Sequence, residues 1–204
     1  MSKATLQRRP LVKKVLAGAD DNLLVLSGLG SATYDITEAG DRPLNMPLWG
    51  AMGATVPMGL GLALAQPAKR VLVITGDGDM LMGMGSLATV ATQQPDNLAI
   101  LVLDNEKFGE TGNQATHTSP RHNGPTESGA GTDLSVIAKG CGIADTGIVR
   151  NESEVAQLVK DLRTKKGPIF RVAKVMVEKL GFVMPPQDGA HLKDRFRQAL
   201  LGRP

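Results

Sequence analysis

The chain has 204 residues, 42% hydrophobic and 21% charged, the balance of an ordinary soluble domain long enough to bury a core. Its formal charge of +3 and pI near 9.1 come from basic residues spread along the chain, mostly toward its ends, and aromatics make up only 3%, too few for the stacking platforms of a nucleic-acid surface. A single cysteine, Cys141, excludes an internal disulfide or an iron–sulfur cluster ligated by this chain's cysteines alone. No apolar run is long enough to span a membrane, and Lys13 and Lys14 interrupt the N-terminal one too early for a secretory signal, so a cytoplasmic location is expected.

Residues 6–17 have helical spacing, with Pro10 setting the start near that position. Residues 22–26 are a short apolar run ending in Ser27-Gly28-Leu29-Gly30, which predicts a buried strand and a tight loop. Residues 31–50, with Pro43, Pro47 and Trp49, are expected to be loop. Residues 52–65 are small and apolar on most faces and predict a buried helix. The clearest unit follows: a strand over 70–75, a turn at Gly76-Asp77-Gly78-Asp79, a helix over 82–92 and a second apolar strand over 97–103 that ends in Asp104-Asn105. Residues 106–132 form a long, polar, glycine-rich loop, a length that inside a compact domain usually signals function. Helix, strand, helix and strand then occupy 134–139, 146–150, 153–164 and 169–175, and a basic amphipathic segment lies at 192–201 in the tail. Continuous apolar strands alternating with helices define an α/β, doubly wound, mainly parallel sheet flanked by helices. It is read as a single domain over 1–204, with a core of about 20–175 and a tail from 176.

In such sheets ligands bind beyond the carboxyl ends of the strands, where strand order reverses. Asp77 and Asn105 each lie just past a strand end, so one site can recruit both. Mg²⁺ takes hard oxygen ligands in near-octahedral array and is often shared with phosphates. Asp77 offers an anionic oxygen, Asn105 a neutral amide oxygen, and the turn after Asn105 can add the main-chain carbonyl of Lys107. The helix expected to start near Met82 offers unpaired N–H groups to a diphosphate, and Gly76 and Gly78 allow close approach. A lone Gly-Asp-Gly is an ordinary turn; the information lies in its combination with the distant Asn.

Gly76–Gly78, followed after 25 residues by Asp104-Asn105, resembles the thiamine-diphosphate motif, with Asp104 standing where the first Asn of a terminal pair is usual. The resemblance implies Mg²⁺ ligation by Asp77, Asn105 and the Lys107 carbonyl. Upstream, the segment Trp49-Gly50-Ala51-Met52-Gly53 resembles the one that grips the cofactor's aminopyrimidine ring: Met52 takes the place of the bulky apolar residue that bends the cofactor, and the Gly50 carbonyl that of the acceptor for its amino group. Asp79 stands where many relatives have Ser. Its carboxylate is read as a helix cap turned away from the phosphates, with a supporting cofactor-site role kept open. Met80, Met82 and Met84 are read as adaptable packing.

The stretch Glu110-Thr111-Gly112-Asn113-Gln114-Ala115-Thr116-His117 is similar to one in sulfopyruvate and phosphonopyruvate decarboxylases and, less closely, in 2-oxoacid oxidoreductase β chains. The likeness puts Gly112 near the diphosphate or substrate and makes His117 a candidate proton shuttle, with Arg121 and His122 beside it. Ordinary solvated loop residues are the competing reading for all three. Enzymes of this family also need a glutamate from a separate pyrimidine-binding domain, for which this chain has no room. The resemblance therefore implies the β subunit of a hetero-oligomer whose α subunit donates that glutamate. The implied reaction converts a small anionic 2-oxo acid into an aldehyde and CO₂, with thiamine diphosphate and Mg²⁺ as cofactors and neither nucleic acid nor membrane as partner. The two-chain arrangement, small size and 110–117 stretch resemble sulfopyruvate decarboxylase most closely; a phosphonopyruvate decarboxylase-like enzyme, a 2-oxoacid oxidoreductase β chain and a non-catalytic cofactor-binding or regulatory subunit stand as alternatives.

Overall fold

The computed structural model describes residues 4–48, 50–120 and 131–203. Six parallel strands form one sheet in the order β2-β1-β3-β4-β8-β7. They are β1 (Leu23–Ser27), β2 (Asn45–Pro47), β3 (Arg70–Gly76), β4 (Leu98–Asp104), β7 (Asp145–Val149) and β8 (Ile169–Lys174). β3 and β4 lie at the centre and are apolar on both faces, as strands covered from both sides must be. Their side chains alternate between two cores. Leu72, Ile74, Ala99 and Leu101 point to one, and Val71, Val73, Leu98 and Ile100 to the other.

The first core is closed by α1 (Arg8–Leu16), α2 (Ser31–Ala39) and α7 (Val155–Thr164), which supply Val12, Ile36 and Leu158. The second is closed by α3 (Thr55–Ala65), α4 (Asp77–Met82), α5 (Ser86–Gln93), α6 (Leu134–Gly140) and α8 (Gly189–Leu201). α8 brings the tail back onto the sheet: Phe196 enters the core, and Arg195 Nη2 sits 3.0 Å from Asp41 Oδ1 in the loop before β2. Among the described residues no helix is long and apolar enough to cross a membrane.

Three local expectations are corrected. The stretch over 31–50, expected to be loop, contains α2 and the edge strand β2. α2 is rich in Thr and Tyr and buries Asp35, features that conceal a helix in the sequence; Asp35 is held by the Arg8 guanidinium and, at 3.0 Å, by Arg9 Nε. The helix expected over 82–92 is instead two short helices, α4 and α5, broken at Gly83–Gly85. A Cβ on Gly83 would lie 2.4 Å from the Gly53 carbonyl oxygen, so this break is where two backbones meet. The loop over 106–132 holds a small antiparallel hairpin, β5 (Lys107–Phe108) with β6 (Gln114–Ala115), joined through a 3₁₀ turn at Gly109–Thr111.

Because β4 is buried along its whole length, truncation there leaves a void that neighbours cannot fill. Leu101→Ala is expected to destabilise the chain by about 3 kcal/mol, read from the midpoint of urea denaturation. A change below about 1 kcal/mol would mean that β4 is not central.

Candidate functional site

The chain runs from β1 outward to β2, then returns across β1 to build β3 and β4, so strand order reverses between β1 and β3. The crevice that this reversal leaves at the carboxyl ends is the place where doubly wound folds bind ligands. Here it is an open cleft of about 100 Å³, walled by Leu29–Ala32 after β1, Gly76–Asp79 after β3, and Asn105 with the 107–111 hairpin after β4. Asp77, Asn105 and Lys107 all line it, so the two strand ends deliver their polar residues to one space.

Gly76-Asp77-Gly78-Asp79 is not a free turn preceding a helix near Met82. Gly76 is the N-cap and α4 starts at Asp77, which places the backbone N–H groups of Asp77, Gly78 and Asp79 in the first turn, where no intrahelical acceptor exists. Gly78 is required there, because a Cβ would meet the Phe108 ring at 2.5 Å and Met52 Cε at 3.6 Å.

Asp77 is 2% exposed. Its Oδ2 accepts from the Thr116 hydroxyl and is 3.0 Å from that of Thr118, while Thr118 Oγ1 is also 2.8 Å from Asp104 Oδ1. With one hydrogen, Thr118 donates to one carboxylate at a time. Burial, and then the adjacent Asp104 carboxylate, push the Asp77 pKa up from 3.8 to about 7, against the hydroxyl hydrogen bonds that favour its charged form. The two carboxylates are not equivalent, because Asp104 has the Lys174 ammonium at 2.6 Å. Burial works against the charge on Lys174, but Asp104 and Glu106 more than offset it and raise its pKa. Asn105 Oδ1 accepts from Lys107 N at 3.0 Å, an Asx turn that uses one of its lone pairs and leaves the other.

Asp79 does not cap a helix. It sits inside α4, buried, and its carboxylate accepts from the Gly53 N–H, from Thr55 Oγ1 at 2.9 Å and from the Thr75 hydroxyl. It thereby ties the end of β3 to the start of α3 and fixes the segment that carries Met52, which lines the cleft. Gly50 is exposed, and Trp49 lies outside the described residues. Gly112 has φ +112 and is exposed just beyond Thr111, the last residue of the cleft wall. His117 is exposed and is not part of the wall, whereas its neighbours Thr116 and Thr118 are buried. Arg121 and His122 lie outside the described residues.

Sequence reasoning passed over Thr118 and Lys174. The every-second spacing of Thr116 and Thr118 was the one available sign of the former. Lys174, ending an apolar strand, gave none. Among the described residues no three His, Cys, Asp or Glu side chains are grouped to hold a metal, so any cation site here draws on amide and main-chain oxygens as well.

A cleft at the switch point, entered by the first turn of a short helix, is the ligand crevice of a doubly wound α/β domain. A family model described as the C-terminal TPP-binding domain of thiamine pyrophosphate enzymes matches residues 28–172. The β subunit of sulfopyruvate decarboxylase from Methanocaldococcus jannaschii is 34% identical over 197 residues, covering 95% of this chain and 97% of that one. Phosphonopyruvate decarboxylase from Streptomyces viridochromogenes is 36% identical over 141 residues, 69% of this chain but only 32% of that protein. A solved structure of a putative thiamin diphosphate-dependent enzyme from Mycobacterium smegmatis has a TM-score of 0.66 at 22% identity, covering 86% of this chain and 33% of the other, a likeness of fold. The chain belongs to the thiamine pyrophosphate enzymes, as their C-terminal TPP-binding domain, and its near full-length relatives there are sulfopyruvate decarboxylase β subunits.

Two outcomes follow from this geometry. Since the folded-state pKa of Asp77 lies above 3.8, the folded chain holds a proton that the unfolded chain releases. This stabilising contribution is present at low pH and is lost as pH rises toward about 7. In EDTA, the thermal midpoint of the wild type is therefore expected to fall relative to that of Asp77→Asn between pH 5 and 8, with the variant the more stable at pH 8; parallel profiles would refute the assignment. Asp79→Ala, which orphans the Gly53 N–H and two threonine hydroxyls, is expected to cost about 2–3 kcal/mol in chemical denaturation, and Asp79→Asn clearly less.

Proposed function

We propose that this chain is the cofactor-holding β subunit of a two-chain decarboxylase that converts sulfopyruvate into an aldehyde and CO₂. The observation that carries the reading is the convergence of Asp77, Asn105 and Lys107 on one cleft, in a chain that a sulfopyruvate decarboxylase β subunit matches over 95% of its length.

The residues present fit thiamine diphosphate with Mg²⁺. The Asp77 carboxylate, the Asn105 amide oxygen and the Lys107 carbonyl are hard donors of the kind Mg²⁺ prefers. Among the described residues no cation pairs with Asp77, so a divalent ion would supply the charge it lacks and return it to the ionised form. The first-turn N–H groups of Gly78 and Asp79, which have no intrahelical acceptor, are the donors assigned to the diphosphate oxygens. Met52, braced through Asp79, supports the rings, and the Gly50 carbonyl takes the amino group. Gly112 and His117 are assigned to the substrate side of the loop. When bound, the cofactor supplies the electron sink for loss of CO₂ from a 2-oxo acid. The protein's own part is to hold the ion, orient the diphosphate and keep water from the apolar portion of the cleft.

The glutamate that starts the proton relay is assigned to an α subunit. Glu110 is the one glutamate among the residues walling this cleft, and it is engaged with the Tyr34 hydroxyl at 3.3 Å. Met58 on α3 and Met82 at the end of α4, 42% and 67% exposed, leave apolar surface near the segment that carries Met52, as an assembly surface requires. The proposed compartment is the cytoplasm. Phosphonopyruvate, likewise an anionic 2-oxo acid, is the second reading, supported by the relative matched over 69% of the chain.

The test is reconstitution. Mixed with its α chain, thiamine diphosphate and Mg²⁺, the protein is expected to release CO₂ and aldehyde from sulfopyruvate with a kcat/KM at least tenfold above that for phosphonopyruvate. Asp77→Ala is expected to abolish Mg²⁺-dependent cofactor binding in calorimetry while leaving the fold intact. Tight cofactor binding without turnover of either acid would overturn the decarboxylase reading in favour of a regulatory subunit, and undiminished affinity in Asp77→Ala would remove the metal assignment.

A further inference from the structure

The position paired with Asp104 across the sheet is Lys174, the last residue of β8. Its ammonium is 2.6 Å from Asp104 Oδ2 and 3.2 Å from Glu106 Oε1, with the side chain 14% exposed. One cation thus holds the residue before Asn105 and the residue after it. The backbone between them is unusual: Glu106 has φ +62, a left-handed conformation that a residue with a Cβ adopts only when held there. It is held by two successive Asx turns, Glu106 N to Asp104 Oδ1 at 3.1 Å and Lys107 N to Asn105 Oδ1 at 3.0 Å, with Lys174 anchoring the side chains on either side. Asp104 is also tied through Thr118 to Asp77.

We propose that Lys174 is the positioning residue of the cation site, acting through Asp104 and Glu106 on Asn105, Lys107 and Asp77. The inference rests on the reading that those three bind a divalent ion. Lys174 compensates the Asp104 charge, so that Asp104 can lie beside Asp77 without being drawn to the ion, and it fixes the left-handed turn that sets the Asn105 amide and the Lys107 carbonyl. Without the ammonium, Asp104 becomes a second uncompensated buried carboxylate next to Asp77, and the turn loses its anchor. Asparagine at position 104 removes that charge while keeping an acceptor for the Glu106 N–H and the Thr118 hydroxyl.

The test is a double-mutant cycle on the full chain, reading Mg²⁺-dependent thiamine diphosphate affinity by calorimetry and folding by thermal denaturation. Lys174→Met is expected to weaken binding by about tenfold or more. Adding Asp104→Asn is expected to restore affinity to within about threefold of wild type, which a merely packing role for Lys174 would not produce. Unchanged affinity in Lys174→Met, or a folded double variant binding no better than the single one, overturns the proposal. A wild-type chain that does not bind the Mg²⁺ cofactor overturns the underlying cofactor reading, and this inference with it.

Discussion

Two carboxylates, each 2% exposed, are brought together at the carboxyl ends of adjacent parallel strands, and the rest of the site is arranged around them. β3 delivers Asp77 and β4 delivers Asp104, each at the point where its strand gives way to the cleft. Like charges at this depth repel strongly, and the fold responds differently to each. Asp104 receives an ammonium from the neighbouring strand β8 and a backbone N–H from its own turn. Among the described residues Asp77 receives neutral donors: its own backbone N–H and the hydroxyls of Thr116 and Thr118, from a loop that doubles back from the hairpin. The negative charge of the site is therefore unbalanced at one residue, and that residue borders the ligand crevice.

Asp79 shows how the same chemistry serves structure. Lying two residues from Asp77 on the same short helix, it is also buried, but its oxygens are filled by Gly53, Thr55 and Thr75. Neutral donors suffice there because the carboxylate has no task beyond joining three segments. Both carboxylates lie at the cleft wall and are of one residue type, so what sets them apart is their partners.

Much of this could be read in the sequence, for physical reasons. Residues 70–75 and 97–103 are uninterrupted apolar runs of strand length, which only a doubly covered sheet accommodates, and the residues that follow such strands must lie at the ligand end. Asp77 and Asn105 were visible on that argument. α2 was not, because what holds it is tertiary: Ala32 and Ile36 pack into the core, and Asp35 is buried against Arg8 and Arg9, contacts that its threonine-containing sequence does not announce. Asp79 is not legible as a brace in the sequence because two of its three partners, Gly53 and Thr55, lie more than twenty residues upstream. Thr118 and Lys174 carry ordinary residue types in ordinary places, and only the cross-strand pairing of Lys174 with Asp104 gives them meaning.

The charge imbalance also couples folding to loading. Ionised Asp77 is unfavourable in the empty fold at neutral pH, since burial and Asp104 both oppose it. A ligand that binds only the folded chain stabilises it in proportion to the logarithm of its concentration over Kd, and a cation complex that also neutralises Asp77 removes an existing penalty in the same step. A better-satisfied residue at position 77 would give a sturdier empty domain and a poorer ion site. The buried, partly satisfied carboxylate is thus an expected mark of function, because packing alone gives no reason to retain it.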